Sequence, residues 1–445
     1  MGHYVPHTDD EIASMLEFVG VSSLDELFVS IPEALRLVAG DDGRHLDLPD
    51  GLSEFDTLAA MERLGDRNSA LTCFAGAGAY DHDIASATKR LAFRTEFVTA
   101  YTPYQPEVSQ GVLQALFEYQ TLLTRLTGVE VANASLYDGA TATVEAANLA
   151  VAATGRSTVW VSRGLHPNWR ETLSTFAQGT GHDLVDVPLV DGVTQWPTEG
   201  EPGALLLQYP NFLGCLDDIA EAARLAKEKG ALLLVAFDPV AAGILRTPGS
   251  YGADVVVGEG QPFGTPLSFG GPYLGLFACR TEHVRRLPGR LVGETVDVEG
   301  RRAYVTTLRT REQDIRREKA SSNVCTNQTL IAVVCAIQLS WLGTTGLREL
   351  ALRCARGTRY ARESLLAVDG IEPLTGATPT LREFAITTPG DPAVIVERMA
   401  EEGFLAGVPL GEEYGSSNGL LVAVTERRTR DEIDRYVQTM EKVVR

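Results

Sequence analysis

The sequence predicts an α/β fold with a mainly parallel sheet and helices on both of its faces. Two observations predict it: strands and helices alternate regularly from about residue 109 to residue 279, and three helices stop at a glycine, at Gly128, Gly155 and Gly230. Strands that alternate with helices require crossover connections, which join parallel strands. Glycine favours the left-handed backbone that ends a helix, so these three glycines mark predicted helix ends.

Seven segments predict the strands of this sheet, at residues 129–137, 158–162, 184–189, 204–208, 231–237, 253–257 and 274–279. The helices between them include one ending at Gly128, one from about Thr141 to Gly155, and one over 217–229. A long apolar helix is predicted at 326–343. Further helices at 346–367, 391–402 and 429–443, with strands at 382–387 and 419–425, predict a second, smaller α/β domain.

The N-terminal residues predict a helical arm. Thr8 and Glu11 form a capping box before apolar residues at helical spacing, and Ser23 with Glu26 begins a second capped segment. Residues 40–53 are rich in glycine, aspartate and proline, which predicts an extended connector. The predicted organisation is an arm over 1–65, a large α/β domain over 66–330 and a small C-terminal α/β domain over 331–445.

The composition narrows the function. A formal net charge of −20 argues against binding of nucleic acid or of an anionic membrane surface, both of which need clustered lysine and arginine. No run of about eighteen apolar residues is present, so no transmembrane helix is predicted. The six cysteines form no C-x-x-C pair, which favours free thiols in a reducing compartment and a cytoplasmic protein. No metal site is predicted, since His82 lacks a second histidine nearby and its segment favours a surface loop.

The stretch "TAYTPYQPEVSQG", residues 99–111, predicts a stiff functional or interface loop. Pro103 and Pro106 hold the backbone extended and exclude a helix. The side chains that this loop presents are polar or aromatic: Tyr101, Tyr104, Gln105 and Glu107.

The stretch "ASLYDGATATVEAA", residues 134–147, places a strand end at Asp138 and a helix start near Thr141. Free N–H groups and the helix dipole at such a start could hold an anion such as a phosphate. An ordinary capped strand-to-helix turn explains the same residues equally well.

The stretch "TLRTREQDIRREKASSNVCTN", residues 307–327, is a basic cluster in an acidic chain, with Arg309, Arg311, Arg316 and Arg317. A solvated helix face and a site for an anionic partner are both consistent with it.

The stretch "VVVGEGQPFGTPLSFGGP", residues 255–272, is an apolar strand running into a glycine-rich loop. An α/β protein presents functional groups in this way, at the carboxyl end of its sheet. However, no lysine, serine, cysteine or histidine occurs before Ser268.

Seven blocks of the sequence, in order, resemble the P-protein of the glycine cleavage system, a pyridoxal-phosphate glycine decarboxylase. The similarity is closest to the shorter alpha subunit of its two-subunit form, and it covers nearly the whole chain. The blocks are "HTDDEIASMLEFVG", "SLDELFVSIP", "YTPYQPEVSQG", "ANASLYDGAT", "GADVVVGEGQPFGTPLSFGGP", "LPGRLVGETVDVEGRRAY" and "TREQDIRREKASSNVCTN". The resemblance implies the aspartate-aminotransferase-like fold of type I pyridoxal-phosphate enzymes, with a large and a small domain.

In that architecture an aspartate pairs with the pyridine nitrogen of the cofactor and a lysine forms the Schiff base. The resemblance places Asp238 at the aspartate position and Gln261 where the family's "LHKTF" segment has its lysine. It also places Thr143 where a ring-stacking histidine would lie, so that Asp138, Thr141, Thr143, Asp238 and Gln261 form a degenerate cofactor site. A carboxamide cannot form a Schiff base, so no complete catalytic site is expected on this chain.

The resemblance therefore implies a partner, a homologous beta subunit that binds pyridoxal phosphate covalently, in a heterotetramer. The complex would decarboxylate glycine and transfer the aminomethyl group to the lipoyl arm of H-protein, as glycine dehydrogenase (decarboxylating), an oxidoreductase. Tyr101, Tyr104, Gln105 and Glu107 would line its active site at the subunit interface. Two alternatives stay open: an independent pyridoxal-phosphate enzyme using another lysine such as Lys319, and a non-catalytic scaffold or regulatory subunit.

Overall fold

The structure is a computed structural model that describes residues 7–36, 49, 51–98, 103–324, 327–376 and 378–445. It contains two compact units, residues 1–69 and residues 70–445. The first unit holds helices α1 (Asp9–Val19) and α2 (Glu54–Gly65) and 3₁₀ turns at Leu24–Phe28 and Glu33–Leu35.

The capping box at Thr8 is confirmed. Its hydroxyl accepts from the Glu11 backbone, and its own N–H donates to the Glu11 carboxylate at 2.8 Å. The second predicted cap is wrong: Ser23 caps nothing, because Ser22 engages the Glu26 carboxylate and only a 3₁₀ turn forms. Helix α2 was not predicted, although Ser53 caps it, and most of the predicted connector lies outside the described residues.

The second unit contains the remaining elements. Its helices are α3 (Ser86–Ala92), α4 (Thr95–Val98), α5 (Gln110–Thr127), α6 (Gly139–Thr154), α7 (Pro167–Thr180), α8 (Ile219–Lys229), α9 (Pro248–Tyr251), α10 (Gln313–Arg316), α11 (Thr329–Leu365), α12 (Pro392–Glu401) and α13 (Arg430–Val444). Its strands are β1 (Thr72–Cys73), β2 (Val131–Ala132), β3 (Thr158–Ser162), β4 (Asp183–Val187), β5 (Leu189–Val190), β6 (Val193–Thr194), β7 (Ala204–Tyr209), β8 (Leu232–Phe237), β9 (Val255–Glu259), β10 (Gly275–Cys279), β11 (Leu291–Val296), β12 (Arg302–Thr307), β13 (Glu372–Pro373), β14 (Glu383–Thr387), β15 (Phe404–Leu405), β16 (Val408–Pro409) and β17 (Gly419–Ala423).

The seven-stranded sheet has the order β2-β10-β9-β8-β7-β3-β4. Strands β4, β3, β7, β8 and β9 pair in parallel, and β10 runs antiparallel to both of its neighbours. Separate apolar cores, one with α5, α8 and α11 and one with α6 and α7, cover its two faces. The predicted mainly parallel α/β sheet is therefore confirmed.

Some elements differ from the prediction. The strand expected at 129–137 is only β2 with one further bridge, between Leu136 and Gly275, because the chain leaves the sheet edge after two residues. The hairpins β5–β6 and β11–β12 were not predicted. A smaller antiparallel sheet, β13-β14-β17-β16, packs with α12 and α13 around its own core, as expected for a smaller domain. Phe74 joins that core, and the domain boundaries at residues 65 and 330 stay predictions.

Helix α11 is the one helix of the described residues that is long and apolar enough to cross a membrane by length and composition. Its backbone is broken at Gly343, which has φ 59° and ψ −174°, so that it consists of the two predicted helices. Ala332, Cys335 and Leu339 of its first half lie in the core, and core helices commonly have this composition. Five cysteines in the described residues are free thiols, and Cys325 lies outside them.

Candidate functional site

The ends of neighbouring strands bring the degenerate cofactor positions together. Asp238 directly follows β8, and Gln261 lies two residues beyond β9. Strand β10 is the neighbour of β9, and its first residue, Gly275, lies next to the start of α6. A cavity of only about 50 Å³ lies here, lined by Tyr80, Asp238, Glu259, Arg382 and Glu383 among others.

Gln261 is buried and both ends of its carboxamide are used. Its oxygen accepts from the Tyr80 backbone N–H at 3.1 Å, and its nitrogen donates to the carbonyls of Tyr80 at 2.9 Å and Thr265 at 2.8 Å. An amine has no acceptor to offer the Tyr80 N–H. The side chain therefore acts as a structural crosslink between two loops.

Asp238 already has a cationic partner. One of its carboxylate oxygens lies 3.0 Å from Nη2 of Arg382, and the other accepts from the Val240 backbone at 3.0 Å. The Arg382 guanidinium lies flat against the Tyr80 ring, with Cζ 3.4 Å from its centroid. Burial by itself lowers the pKa of Arg382, but Asp238 and the other acidic neighbours outweigh it and raise that pKa. The carboxylate expected to face a pyridine nitrogen faces a guanidinium instead.

Tyr80 and Glu383 close the same cavity. The Tyr80 hydroxyl donates to Oε2 of Glu383 at 2.7 Å, and the Ala77 backbone donates to Oε1 at 2.7 Å. Burial raises the pKa of both side chains. In the described residues, no polar atom lining this cavity is among the buried side-chain atoms that lack a hydrogen-bond partner.

The start of α6, where the sequence allows an anion, is filled by protein carboxylates. Oε2 of Glu259 accepts from Gly139 N–H at 3.0 Å, while Oε1 accepts from the backbones of Gln261 at 3.0 Å and Leu274 at 2.9 Å. Burial raises the pKa of Glu259 to about 7, although these three N–H groups oppose the shift. Glu259 thus occupies donors that could otherwise bind a phosphate.

Asp138, Thr141 and Thr143 serve the helix itself. Asp138 caps α6 by accepting from Thr141 N–H at 2.7 Å, and the Thr141 hydroxyl donates to the Asp138 carbonyl. This is the arrangement of an ordinary capped turn. The buried Thr143 hydroxyl donates to the Gly139 carbonyl within the helix at 2.9 Å and lines neither of the cavities described here.

Pyridoxal phosphate does not fit these residues. Cofactor sites typically measure about 300–1,000 Å³, and the cavity at Asp238 holds about 50 Å³. An adjoining cavity of about 350 Å³ exists, but the Asp138 carboxylate lines it and Glu259 already accepts from the N–H groups that a phosphate would need. Neither cavity is lined by a lysine, and Lys319 is exposed on a 3₁₀ turn.

His82, Cys354 and Glu426 lie close enough to suggest a metal centre, but their bonds are already committed. Arg382 donates to Nε2 of His82, so Nδ1 carries the proton and donates to Glu426 at 2.7 Å. The surface loop expected around His82 is wrong, since this side chain is buried in the charge network of the cavity.

The predicted interface loop lies apart from that cavity. Tyr104 is partly exposed and its hydroxyl accepts from Nη2 of Arg290 at 2.7 Å, while Gln105 and Glu107 are exposed. None of the three lines the cavity, and Tyr101 lies outside the described residues. Gln110 joins the loop to β12 through two hydrogen bonds of 2.8 Å with the Tyr304 backbone.

Sequence reasoning missed the residues that fill the cavity: Tyr80, Glu259, Arg382 and Glu383. Glu259 could have been found, because it stands two residues before Gln261 in the strand-to-loop segment. The other three come from segments more than a hundred residues away, and no spacing in the sequence connects them.

The family model described as "Glycine cleavage system P-protein" matches residues 2–440. The chain is 47% identical to "Probable glycine dehydrogenase (decarboxylating) subunit 1" of Desulforamulus reducens, covering 97% of each chain. It is also 47% identical to the protein of that name from Moorella thermoacetica, covering 99% of each.

Among solved structures, a glycine decarboxylase (P-protein) of the glycine cleavage system in inhibitor-bound form has a TM-score of 0.91 and 44% identity, over 99% of this chain and 100% of that one. An alanine–glyoxylate aminotransferase from Nostoc sp. has a TM-score of 0.60 at 16% identity, over 92% and 100%, and shows the aspartate-aminotransferase-like fold. The chain belongs to the glycine cleavage system P-protein family.

Proposed function

We propose that this chain is the alpha subunit of a two-subunit glycine dehydrogenase (decarboxylating), and that its homologous beta subunit alone carries pyridoxal phosphate. The observation that carries the proposal is the buried and fully hydrogen-bonded carboxamide of Gln261, at the position where the family resemblance predicts the Schiff-base lysine. Because no lysine lines either cavity, the covalent chemistry belongs to the partner.

The names of the similar relatives support the existence of a partner, since both are called subunit 1 of glycine dehydrogenase (decarboxylating). We expect an obligate contact above about 2,000 Å² in a cytoplasmic heterotetramer.

In the proposed complex, the beta subunit decarboxylates glycine and passes the aminomethyl group to the lipoyl arm of H-protein. The alpha subunit contributes the loop at 103–108 to the entrance of that active site. Pro103 and Pro106 fix this loop, so Tyr104, Gln105 and Glu107 are presented with little loss of side-chain and backbone entropy. Tyr101 belongs to the same proposal.

The test is glycine decarboxylation with purified subunits and lipoylated H-protein. We expect activity only when both chains are present, and one species containing both in equal amounts on size-exclusion chromatography. A beta subunit that is fully active alone would make this chain a scaffold instead. Activity of this chain alone with pyridoxal phosphate would favour an independent enzyme, an alternative that the exposed Lys319 does not support.

A further inference from the structure

Arg290 is a buried cation that pairs with no carboxylate of the described residues. It is 5% exposed, and its Nη2 donates to the Tyr104 hydroxyl at 2.7 Å. Its Nε and Nη1 donate to no acceptor, and no described carboxylate pairs with it. A guanidinium stays protonated in proteins, and a buried charge without a counter-charge is destabilising. An arginine in this condition has the electrostatics of an unfilled anion site.

A second guanidinium approaches the same aromatic ring. Cζ of Arg290 lies 4.7 Å from the centroid of Tyr104, and Cζ of Arg309 lies 5.5 Å from it. Arg309 is exposed, and no carboxylate of the described residues pairs with it. The two positive charges therefore add rather than cancel, in a chain whose net charge is −20.

The surrounding backbone holds this arrangement in place. Arg311 donates to the carbonyls of Leu308 at 3.1 Å, Gly289 at 3.2 Å and Leu287, which fixes the turn that precedes Arg290. Leu308, next to Arg309, has the left-handed backbone with φ 54°. Such a conformation is strained for a residue other than glycine and persists where the surroundings impose it.

The backbone of Arg290 is hydrogen-bonded to the segment that carries Ser135. The Arg290 carbonyl accepts from Ala134 N–H at 2.8 Å, which places the adjacent Ser135 next to it. The Ser135 hydroxyl is fully buried and has no hydrogen-bond partner. Ser135 and Arg290 are thus both among the described residues with buried side-chain atoms that lack a hydrogen-bond partner, and a ligand at Arg290 would pair its free N–H groups.

We propose that Arg290, Arg309 and Tyr104 form a binding site for one oxyanion group, a carboxylate or a phosphate. The planar fork of an arginine matches either group in a bidentate manner, and the uncompensated charge disfavours cations and neutral ligands. The group has two conceivable sources, a free small molecule or the partner subunit. The site goes beyond the proposed function, because binding of a free anion by the isolated chain needs no partner.

The first experiment titrates the isolated chain with inorganic phosphate at constant ionic strength and follows the thermal midpoint and the heat of binding. If the anion is free, the wild-type midpoint should rise saturably, and Arg290→Met and Arg309→Gln should each bind phosphate at least about tenfold more weakly. The matched control is Arg348→Gln, which changes an exposed arginine on α11, outside the proposed site. It should bind phosphate as the wild type does.

The second experiment measures the affinity for the beta subunit. If the anion belongs to the partner, phosphate should not bind the isolated chain but should compete with assembly, and Arg290→Met should weaken assembly at least about tenfold. Wild-type phosphate binding and wild-type assembly in both variants would overturn the proposal.

Stability separates this site from a purely structural arginine. Because Arg290→Met removes an unpaired buried charge, its thermal midpoint without phosphate should equal or exceed that of the wild type. A clear fall in that midpoint would assign Arg290 to the fold and count against the site. If Arg290→Met does not fold, exposed Arg309→Gln carries both binding experiments.

Discussion

The cavity at Asp238 differs from the cluster of Arg290, Arg309 and Tyr104 in whether its buried charged groups are paired. In the cavity, Asp238 pairs with Arg382, and Gln261 and Glu383 have partners for both polar ends. In the cluster, Arg290 leaves buried donors unpaired. Unpaired buried polar groups are costly, and a bound ligand is one way in which they become paired.

The difference separates a cavity whose charges are paired within the fold from a site that we propose binds an anion. Paired charges, as in the cavity, stabilise the fold and leave few free polar groups that could bind a cofactor. Charges that stay uncompensated, as at Arg290 and Arg309, lower stability unless something binds.

The largest effect is expected for Arg382→Met. It leaves the Asp238 carboxylate buried without its cation, so the unfolding free energy should fall by about 3–5 kcal/mol. Urea unfolding of the isolated chain measures it. The double variant Asp238→Asn/Arg382→Met should recover much of the loss, and Arg359→Met, which breaks an exposed pair with Glu363, should leave the transition unchanged. A small effect of Arg382→Met would mean that the cavity does not depend on this pair.

The next effect concerns pH. Burial raises the pKa of Glu259 from 4.5 to about 7, so the folded state holds this proton more tightly than the unfolded state does. Its stabilising contribution is complete below about pH 4.5 and is lost as the pH rises through about 7. Relative to the wild type, the unfolding free energy of Glu259→Gln should therefore rise by about 2–3 kcal/mol between about pH 4.5 and about pH 7.

Thermal unfolding across that pH range provides the measurement. The exposed Glu299→Gln should follow the wild-type profile, which makes it the matched control. Parallel pH profiles of thermal unfolding for Glu259→Gln and the wild type would contradict the role given to Glu259 at the start of α6.

The framework of the fold was predictable because it depends on local signals. Alternating apolar segments, the Asp138 and Thr8 caps and the terminal glycines Gly128, Gly155 and Gly230 gave the order of elements and most of their bounds. The wrong predictions concern short or irregular elements such as β2, whose length depends on where the chain leaves the edge of the sheet. Ser23 failed because a neighbouring serine competed for the same carboxylate.

Gln261→Lys tests whether the missing nucleophile is the only deficiency. The amine cannot accept from Tyr80 N–H, so the variant should lose about 1–3 kcal/mol of stability. It should bind no pyridoxal phosphate, because Arg382 and Glu259 still occupy the places of the cofactor. Absorbance titration with the cofactor measures binding, and Gln114→Lys on the surface of α5 is the control. A saturable visible band on Gln261→Lys would show that one side chain separates this chain from a cofactor site.

The smallest effect is expected for Tyr104→Ala in the complete complex. If the loop lines the partner's active site, turnover should fall about tenfold, equivalent to roughly 1.4 kcal/mol. Glycine decarboxylation at saturating lipoylated H-protein measures it, with assembly checked separately. Phe176→Ala, an exposed aromatic on α7, should change neither. Wild-type turnover of Tyr104→Ala would leave the loop a structural role only.

The candidate site was only half predictable. Asp238 and Gln261 follow predicted strands, so their proximity came from the order of the sheet. Arg382 and Glu383 reach the cavity from the small domain, and Tyr80 from a segment before the sheet begins. Only tertiary packing brings these charges together, and for the same reason the sequence could not show that Arg290 pairs with no carboxylate of the described residues.

The most direct test of the central claim is borohydride reduction of the assembled alpha–beta complex with pyridoxal phosphate, followed by mass spectrometry of each chain. If the beta subunit alone carries the cofactor, we expect one covalent adduct per alpha–beta pair, on a lysine of the beta subunit, and an unmodified alpha chain. A stoichiometric adduct on any single lysine of this chain would contradict it.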